Sequence, residues 1–230
     1  MNHPLVETQF KMERVVPYFQ PIMNLHSNRV WRYECLARLL GDNEHIFLPS
    51  EFLTIVEQKN WNAELTYHIY EQSRRFCANR NIPWSINLSD NDLNDESLVT
   101  WLVRSHENTT TTLFGIEITH TTLQKHFNVI AHLNENCPNL TIIIDDVSTS
   151  SAILTQALKL NIQAIKLSGK MINSPTIDKQ ALTELVKLCK VGSTKLVAEH
   201  IEDKSTLELV TSMGIDFGQG FYLSSPSARV

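Results

Sequence analysis

Short runs rich in β-branched and aromatic residues recur along the chain, at 16–23, 30–36, 84–88, 113–118, 140–144, 164–167, 195–198 and 221–223. Bounded by polar and turn-forming residues, such runs predict strands. Between most of them the apolar period lengthens. Phe52, Ile55 and Val56 share one helical face, and so do Leu182, Leu185, Val186 and Cys189. Ser205-Thr206-Leu207-Glu208 has the spacing of a capping box and predicts the start of a further helix there.

Strand followed by helix, repeated, argues for parallel strands joined by crossover helices. Eight strand candidates in 230 residues suit a closed β/α barrel, for which about 250 residues is typical. An open doubly wound sheet is the alternative. The first two runs break the alternation. Only residues 24–29 separate them, a hairpin length, so one strand near the N-terminus is expected to run antiparallel. No Gly/Ser-rich linker or internal repeat divides the sequence, so one domain over 1–230 is expected, with a core over about 15–226 and an extension over 1–14.

Composition narrows the function classes. The chain is 42% hydrophobic and carries 20 basic against 25 acidic residues, a formal net charge of −5. Binding to a nucleic-acid polymer would call for a basic surplus that is not there. The first twenty residues mix charges without an apolar core, and no apolar stretch approaches the roughly 20 residues of a membrane span. Four cysteines are scattered without a CxxC pair. Together these features predict a cytoplasmic protein with reduced thiols and no membrane contact. The nine histidines show no ligand spacing and are expected mostly on solvated helix surfaces, and Trp31, Trp61, Trp84 and Trp101 are expected to pack rather than stack on bases. Glu117-x-x-His120 imitates a di-iron spacing but follows a predicted strand, and Gly218-Gln219-Gly220 lacks the third glycine of a dinucleotide fingerprint.

The chemistry lies where the apolar runs stop. The runs lead into Asn87, Glu117, Asp145-Asp146, Lys166 and Glu199, and Gln219 precedes the last predicted strand. Glu34 stands inside the second run, with Arg38 four residues later. Any one such residue is more often a helix cap or a loop residue than a ligand. Six acidic or amide residues at successive strand ends, with a lysine among them, point instead to the mouth of a barrel. Carboxylates gathered there repel one another unless cations intervene, and Mg²⁺ or Mn²⁺ takes such hard oxygen donors. Asp145-Asp146 is placed to be shared between two ions, an arrangement suited to hydrolysing a phosphodiester. Lys166 could orient the attacking water, and Arg38 could neutralise a phosphate oxygen.

At these residues the sequence resembles the EAL family of cyclic di-GMP phosphodiesterases over nearly its whole length. Glu34-Cys35-Leu36-Ala37-Arg38 matches E-x-L-x-R, with Cys in place of the usual Ala, and Tyr18-Phe19-Gln20-Pro21-Ile22 matches Y-x-Q-P-I. Asn87-Leu88-Ser89, Glu117-Ile118-Thr119, Asp145-Asp146, Ile165-Lys166, Ala198-Glu199 and Gln219-Gly220 follow in the family's order. The resemblance implies a modified TIM barrel with one antiparallel strand. It implies Glu34, Asn87, Glu117 and Asp145 around one Mg²⁺ or Mn²⁺, and Asp145, Asp146 and Glu199 around a second. Lys166, Glu199 and Glu34 would be the catalytic groups, with Gln20, Arg38, Asp146 and Gln219 toward the substrate. The implied reaction opens cyclic di-GMP to linear pGpG, and a homodimer and a separate sensor or regulatory protein are the implied partners.

Several positions depart from the family pattern. D-D-F-G-T-G reads Asp145-Asp146-Val147-Ser148-Thr149-Ser150, a supporting Glu after E-I-T is His120, and the Asp of K-I-D is Ser168. E-G-V-E reads Glu199-His200-Ile201-Glu202. The ligand set is complete while the loop behind it is altered, which predicts a slow hydrolase. The alternative is an EAL-like receptor that binds cyclic di-GMP or a protein partner without catalysis.

Overall fold

The hairpin expected at the start is the longest element of the sheet. In the computed structural model, which describes residues 4–111, 113–149, 151–172, 179–192 and 194–229, β1 (Val15–Asn24) runs antiparallel to β2 (Arg29–Leu40). Asn24 makes the turn. Its Oδ1 accepts from the backbone N–H of His26 at 3.1 Å and of Ser27 at 2.8 Å, and Asn28 takes a left-handed φ of 51°. A two-residue β3 (Ile46–Phe47) adds antiparallel to the outside of β2.

Six further strands follow: β4 (Trp84–Asn87), β5 (Phe114–Thr119), β6 (Thr141–Val147), β7 (Ile162–Leu167), β8 (Lys195–Ala198) and β9 (Phe217–Gly218). They are parallel neighbours in chain order, β2 pairs with β4, and β9 pairs antiparallel with β1, so the sheet closes on itself. The result is an eight-stranded barrel with β3 appended and β1 as the strand of opposite sense. Helices between the strands lay apolar faces on the wall. The Pro49–Gln58 helix buries Phe52, Ile55 and Val56, and the Lys179–Gly192 helix buries Leu182, Leu185 and Cys189. Inside the barrel, Ile22, Ile143, Ala164 and Val197 form an apolar plug flanked by Trp31 and Phe217. That plug keeps water from the floor of everything above it.

Two expectations are corrected. The last strand is Phe217–Gly218 rather than 221–223, so Gln219 follows it instead of preceding it. A Cβ on Gly220 would stand 2.2 Å from the Ile201 carbonyl oxygen, so only glycine lets the chain press onto residue 201 before it turns. Leu223 and Ser224 N–H both bond the Gly220 carbonyl at 3.0 Å, and Phe221 is left 66% exposed. The helix expected at Ser205 is Lys204–Ser212, capped by Asp203, whose carboxylate accepts from Thr206 N–H at 2.7 Å. A carboxylate is the stronger acceptor there, and Ser205 donates to it instead. His106 and His120 are buried rather than solvated, at 6% and 9% exposure. All four cysteines are buried and free, and among the described residues no helix is long and apolar enough to cross a membrane.

Candidate active site

Register places the polar residues. Gln20 pairs with Glu34, Glu34 with Ser85, Asn87 with Glu117, and Thr119 with Asp145. Side chains at paired positions share a face of the sheet, and here that face is the barrel interior. Glu199 and Gln219 are the first residues past β8 and β9. Gln219 N–H still bonds the Ala198 carbonyl at 2.8 Å, so both sit on ladder-held backbone.

Lys166 on β7 is the centre of the set. Its Nζ lies 2.9 Å from Glu34 Oε2, 2.9 Å from Glu117 Oε2, 3.0 Å from Glu199 Oε1 and 3.7 Å from Asp145 Oδ1. Glu34 is held from its other sides. Its Oε1 accepts from Asn87 Nδ2 at 2.6 Å and its Oε2 from Gln219 Nε2 at 2.8 Å. Gln219 Nε2 also reaches Gln20 Oε1 at 3.2 Å, and Gln20 Nε2 donates to the Ser224 carbonyl at 3.3 Å. Glu117 accepts from the Ser85 hydroxyl.

Four carboxylates face one ammonium, and their proton affinities record the imbalance. Burial alone would lower the Lys166 pKa, but Asp145, Glu117, Glu199 and Glu34 raise it well above its ordinary value. Burial would likewise raise Glu34, yet Lys166, Asn87 and Gln219 bring it below the usual carboxylate range. Glu117 is pushed up to about 7 by burial and by the charges of Glu34 and Asp145. Glu199 is pushed up to about 8, again by burial first and then by Asp145 and Glu34. Glu117 and Glu199 therefore take protons more readily than free carboxylates, because four acids share one ammonium.

Two expected residues stand apart from the cluster. Asp146 is exposed, takes φ 51°, and donates its N–H to Asp145 Oδ1 at 2.8 Å. Arg38 is half-buried, bonds the Ala37 carbonyl through Nη1 at 2.8 Å and lies over the Tyr18 ring. It does line the same cleft as Gln20, Glu34, Glu199 and Gln219, a cavity of about 260 Å³. A second cavity of about 640 Å³ shares Leu36 with it, is walled by Leu53, Leu65 and Ile69, and reaches Asn87 and Glu117. Ser85 was missed from the sequence, although its place two residues before Asn87 puts it on the same strand face.

The altered loop is partly in view. Ser150 lies outside the described residues. Val147 is buried, and its carbonyl accepts from Ser168 N–H at 3.0 Å. Ser151 caps the Ala152–Ala157 helix, and His120 Nε2 reaches its hydroxyl at 2.8 Å. His120 thus joins the loop from the position where the family pattern has Glu. Burial pushes its pKa down, with Asp146 opposing.

The donor set fits a hard divalent cation: the carboxylates of Glu34, Glu117, Asp145 and Glu199 converge, with the Asn87 amide against Glu34, and outnumber the one ammonium among them. Glu34, Asn87, Glu117 and Asp145 could hold one ion, and Asp145, Asp146 and Glu199 a second. Among the described residues no three Asp, Glu, His or Cys side chains already form a ready cage, because the carboxylates are drawn onto Lys166.

The comparisons with known proteins agree with one another. The family model described as EAL domain matches residues 6–226. Cyclic di-GMP phosphodiesterase PdeF of Escherichia coli K12 is 25% identical over 233 residues, covering 92% of this chain and 30% of its own length. Cyclic di-GMP phosphodiesterase PdeA of Borreliella burgdorferi is 25% identical over 221 residues, covering 91% of this chain and 33% of its own length. The chain thus spans about a third of the length of these two relatives. Among solved structures, the Pseudomonas aeruginosa FimX EAL domain bound to c-di-GMP superposes with a TM-score of 0.81 at 21% identity, covering 97% of this chain and 93% of that one.

Proposed function

The chain belongs to the EAL domain family, and from that premise we propose that it is a metal-dependent phosphodiesterase opening cyclic di-GMP to linear pGpG. The convergence of Glu34, Glu117, Asp145 and Glu199 on Lys166, between two cavities that meet at Leu36, carries this reading. A dinucleotide with two bases and a phosphodiester between them matches that layout: one half in each cavity, the reacting phosphate above the carboxylates.

Glu34, Asn87, Glu117 and Asp145 would hold one Mg²⁺ or Mn²⁺, with Asp145, Asp146 and Glu199 around a second. Bound there, such ions supply charge neutralisation at phosphorus and an acidified water. Lys166 orients the attacking water, with its ammonium fixed by Glu34 and Glu117. Gln219 and Gln20 fix Glu34 in the orientation a ligand needs. Arg38 offers its guanidinium to a non-bridging phosphate oxygen. One P–O bond forms to water, one breaks to a ribose 3′ oxygen, and that oxygen leaves with a proton.

A receptor that holds the nucleotide uncut is the second reading, favoured by the outward-turned Asp146. Purified protein given cyclic di-GMP with Mg²⁺ or Mn²⁺ separates the two by chromatography of the products. Accumulating pGpG, lost in Glu34→Ala at matched folding, is the expected result. Intact nucleotide recovered from a stable complex would replace the hydrolase by the receptor. Neither turnover nor binding would remove both.

A further inference from the structure

His200 stands where the family's E-G-V-E pattern has glycine, and it keeps a glycine's backbone. Its φ is 55°, the left-handed region that a residue bearing a Cβ disfavours. The surrounding ladder imposes that geometry. Glu199 N–H bonds the Leu167 carbonyl at 3.3 Å, Ile201 N–H bonds the Gln219 carbonyl at 3.1 Å, and Tyr222 N–H bonds the Ile201 carbonyl at 3.0 Å. Glycine would satisfy this path without strain. What histidine adds is its side chain, and strain kept at a site is a pointer to function.

The imidazole has a seat of its own. A Cβ on Gly169 would lie 2.5 Å from His200 Nδ1 and 2.6 Å from Cγ, so the ring rests directly on the bare Cα at the start of the Gly169–Ile172 helix. From there His200 lines the cavity of about 260 Å³ together with Arg38, Phe221 and Pro226. Phe221 offers an exposed aromatic face to that cavity. The cleft thus combines an aromatic stacking surface and an imidazole donor with the guanidinium assigned above to the phosphate.

We propose that His200 contacts substrate and sets base preference: its imidazole donates to the nucleobase that stacks against Phe221. A donor aimed at that base matches guanine, whose O6 is an acceptor, and mismatches adenine, which presents an amino donor in place of O6. The inference rests on the cyclic di-GMP reading above and adds to it the residue that reads one base.

The test compares wild type, His200→Gly and His200→Asn. Glycine relaxes the backbone and removes the donor, while asparagine tolerates left-handed φ and keeps a donor. Calorimetric titration in EDTA measures affinity for cyclic di-GMP and cyclic di-AMP, and steady-state turnover with Mg²⁺ separates KM from kcat. His200→Gly is expected to melt no lower than wild type, to bind cyclic di-GMP about 10-fold more weakly with KM raised alike, and to leave kcat within about twofold. Its affinity for cyclic di-AMP stays unchanged, and His200→Asn recovers most of the loss. Equal affinities in wild type and His200→Gly, or a loss confined to kcat, would overturn the assignment while leaving the phosphodiesterase reading intact. Wild type that neither binds nor turns over cyclic di-GMP would overturn both.

Discussion

Lys166 and His106 are both ionisable and both withdrawn from water, in different parts of the molecule. Lys166 is 0% exposed above the apolar plug, with four carboxylates within 3.7 Å of its Nζ. His106 is 6% exposed at the end of the Glu96–His106 helix, with the Tyr70 hydroxyl at 3.2 Å and its ring stacked 4.6 Å from Phe114. The first keeps its charge because opposite charges surround it, and the second gives its charge up. Burial lowers the His106 pKa to about 4, so the imidazole is neutral at ordinary pH and behaves as a core aromatic. A buried charge kept by converging partners marks a site, whereas a buried titratable group neutralised by its surroundings marks packing.

Breaking the first arrangement carries the largest expected effect. Lys166→Met leaves buried carboxylates without their counter-charge and should cost about 3–5 kcal/mol in EDTA, read by urea unfolding. Millimolar Mg²⁺ should shrink that loss. A cost below about 1 kcal/mol would mean that the carboxylates do not depend on Lys166.

The second arrangement titrates. The unfolded imidazole takes its proton near pH 6.5 and the folded one near pH 4, so stability from this group is complete above 6.5 and falls as the pH drops between these values. The slope is about 1.4 kcal/mol per pH unit and the whole loss about 3 kcal/mol. Denaturant midpoints across that range should fall more steeply in wild type than in His106→Phe, and turnover at pH 7.5 should not differ between them.

His120 tests the middle ground, a buried histidine at the edge of the site. His120→Ala removes its bond to Ser151 and should reduce metal affinity or turnover about 10–100-fold, as lost supports around metal ligands do. Unchanged kinetics would assign His120 to packing alongside His106. The smallest effect lies away from both clusters: Asp203→Ala removes the helix cap and should lower the denaturant midpoint only slightly, with activity untouched.

Much of this was legible in the sequence because strands write their geometry plainly. The runs that carry Asn87, Glu117 and Lys166 near their ends have the side-chain period of the sheet, so position along the strand fixes both height and face. The hairpin followed from the short spacing of 24–29. The run at 221–223 misled because an apolar triplet reads as a strand, while Gly220 had already turned the chain through contact with residue 201. His106 could have been found: Leu98, Leu102 and His106 recur every four residues on one helix face. The left-handed backbone at Asp146 had no such signal, and at His200 only the glycine of the family pattern pointed to it.

Whether distant strand ends share a cation is tested most directly by calorimetric titration of Mn²⁺ into metal-free protein. Saturable binding to wild type, lost in Glu34→Gln and weakened in Asn87→Ala while both variants remain folded, is the predicted result. Wild type that takes up no Mn²⁺, or variants that bind it as tightly as wild type, would contradict it.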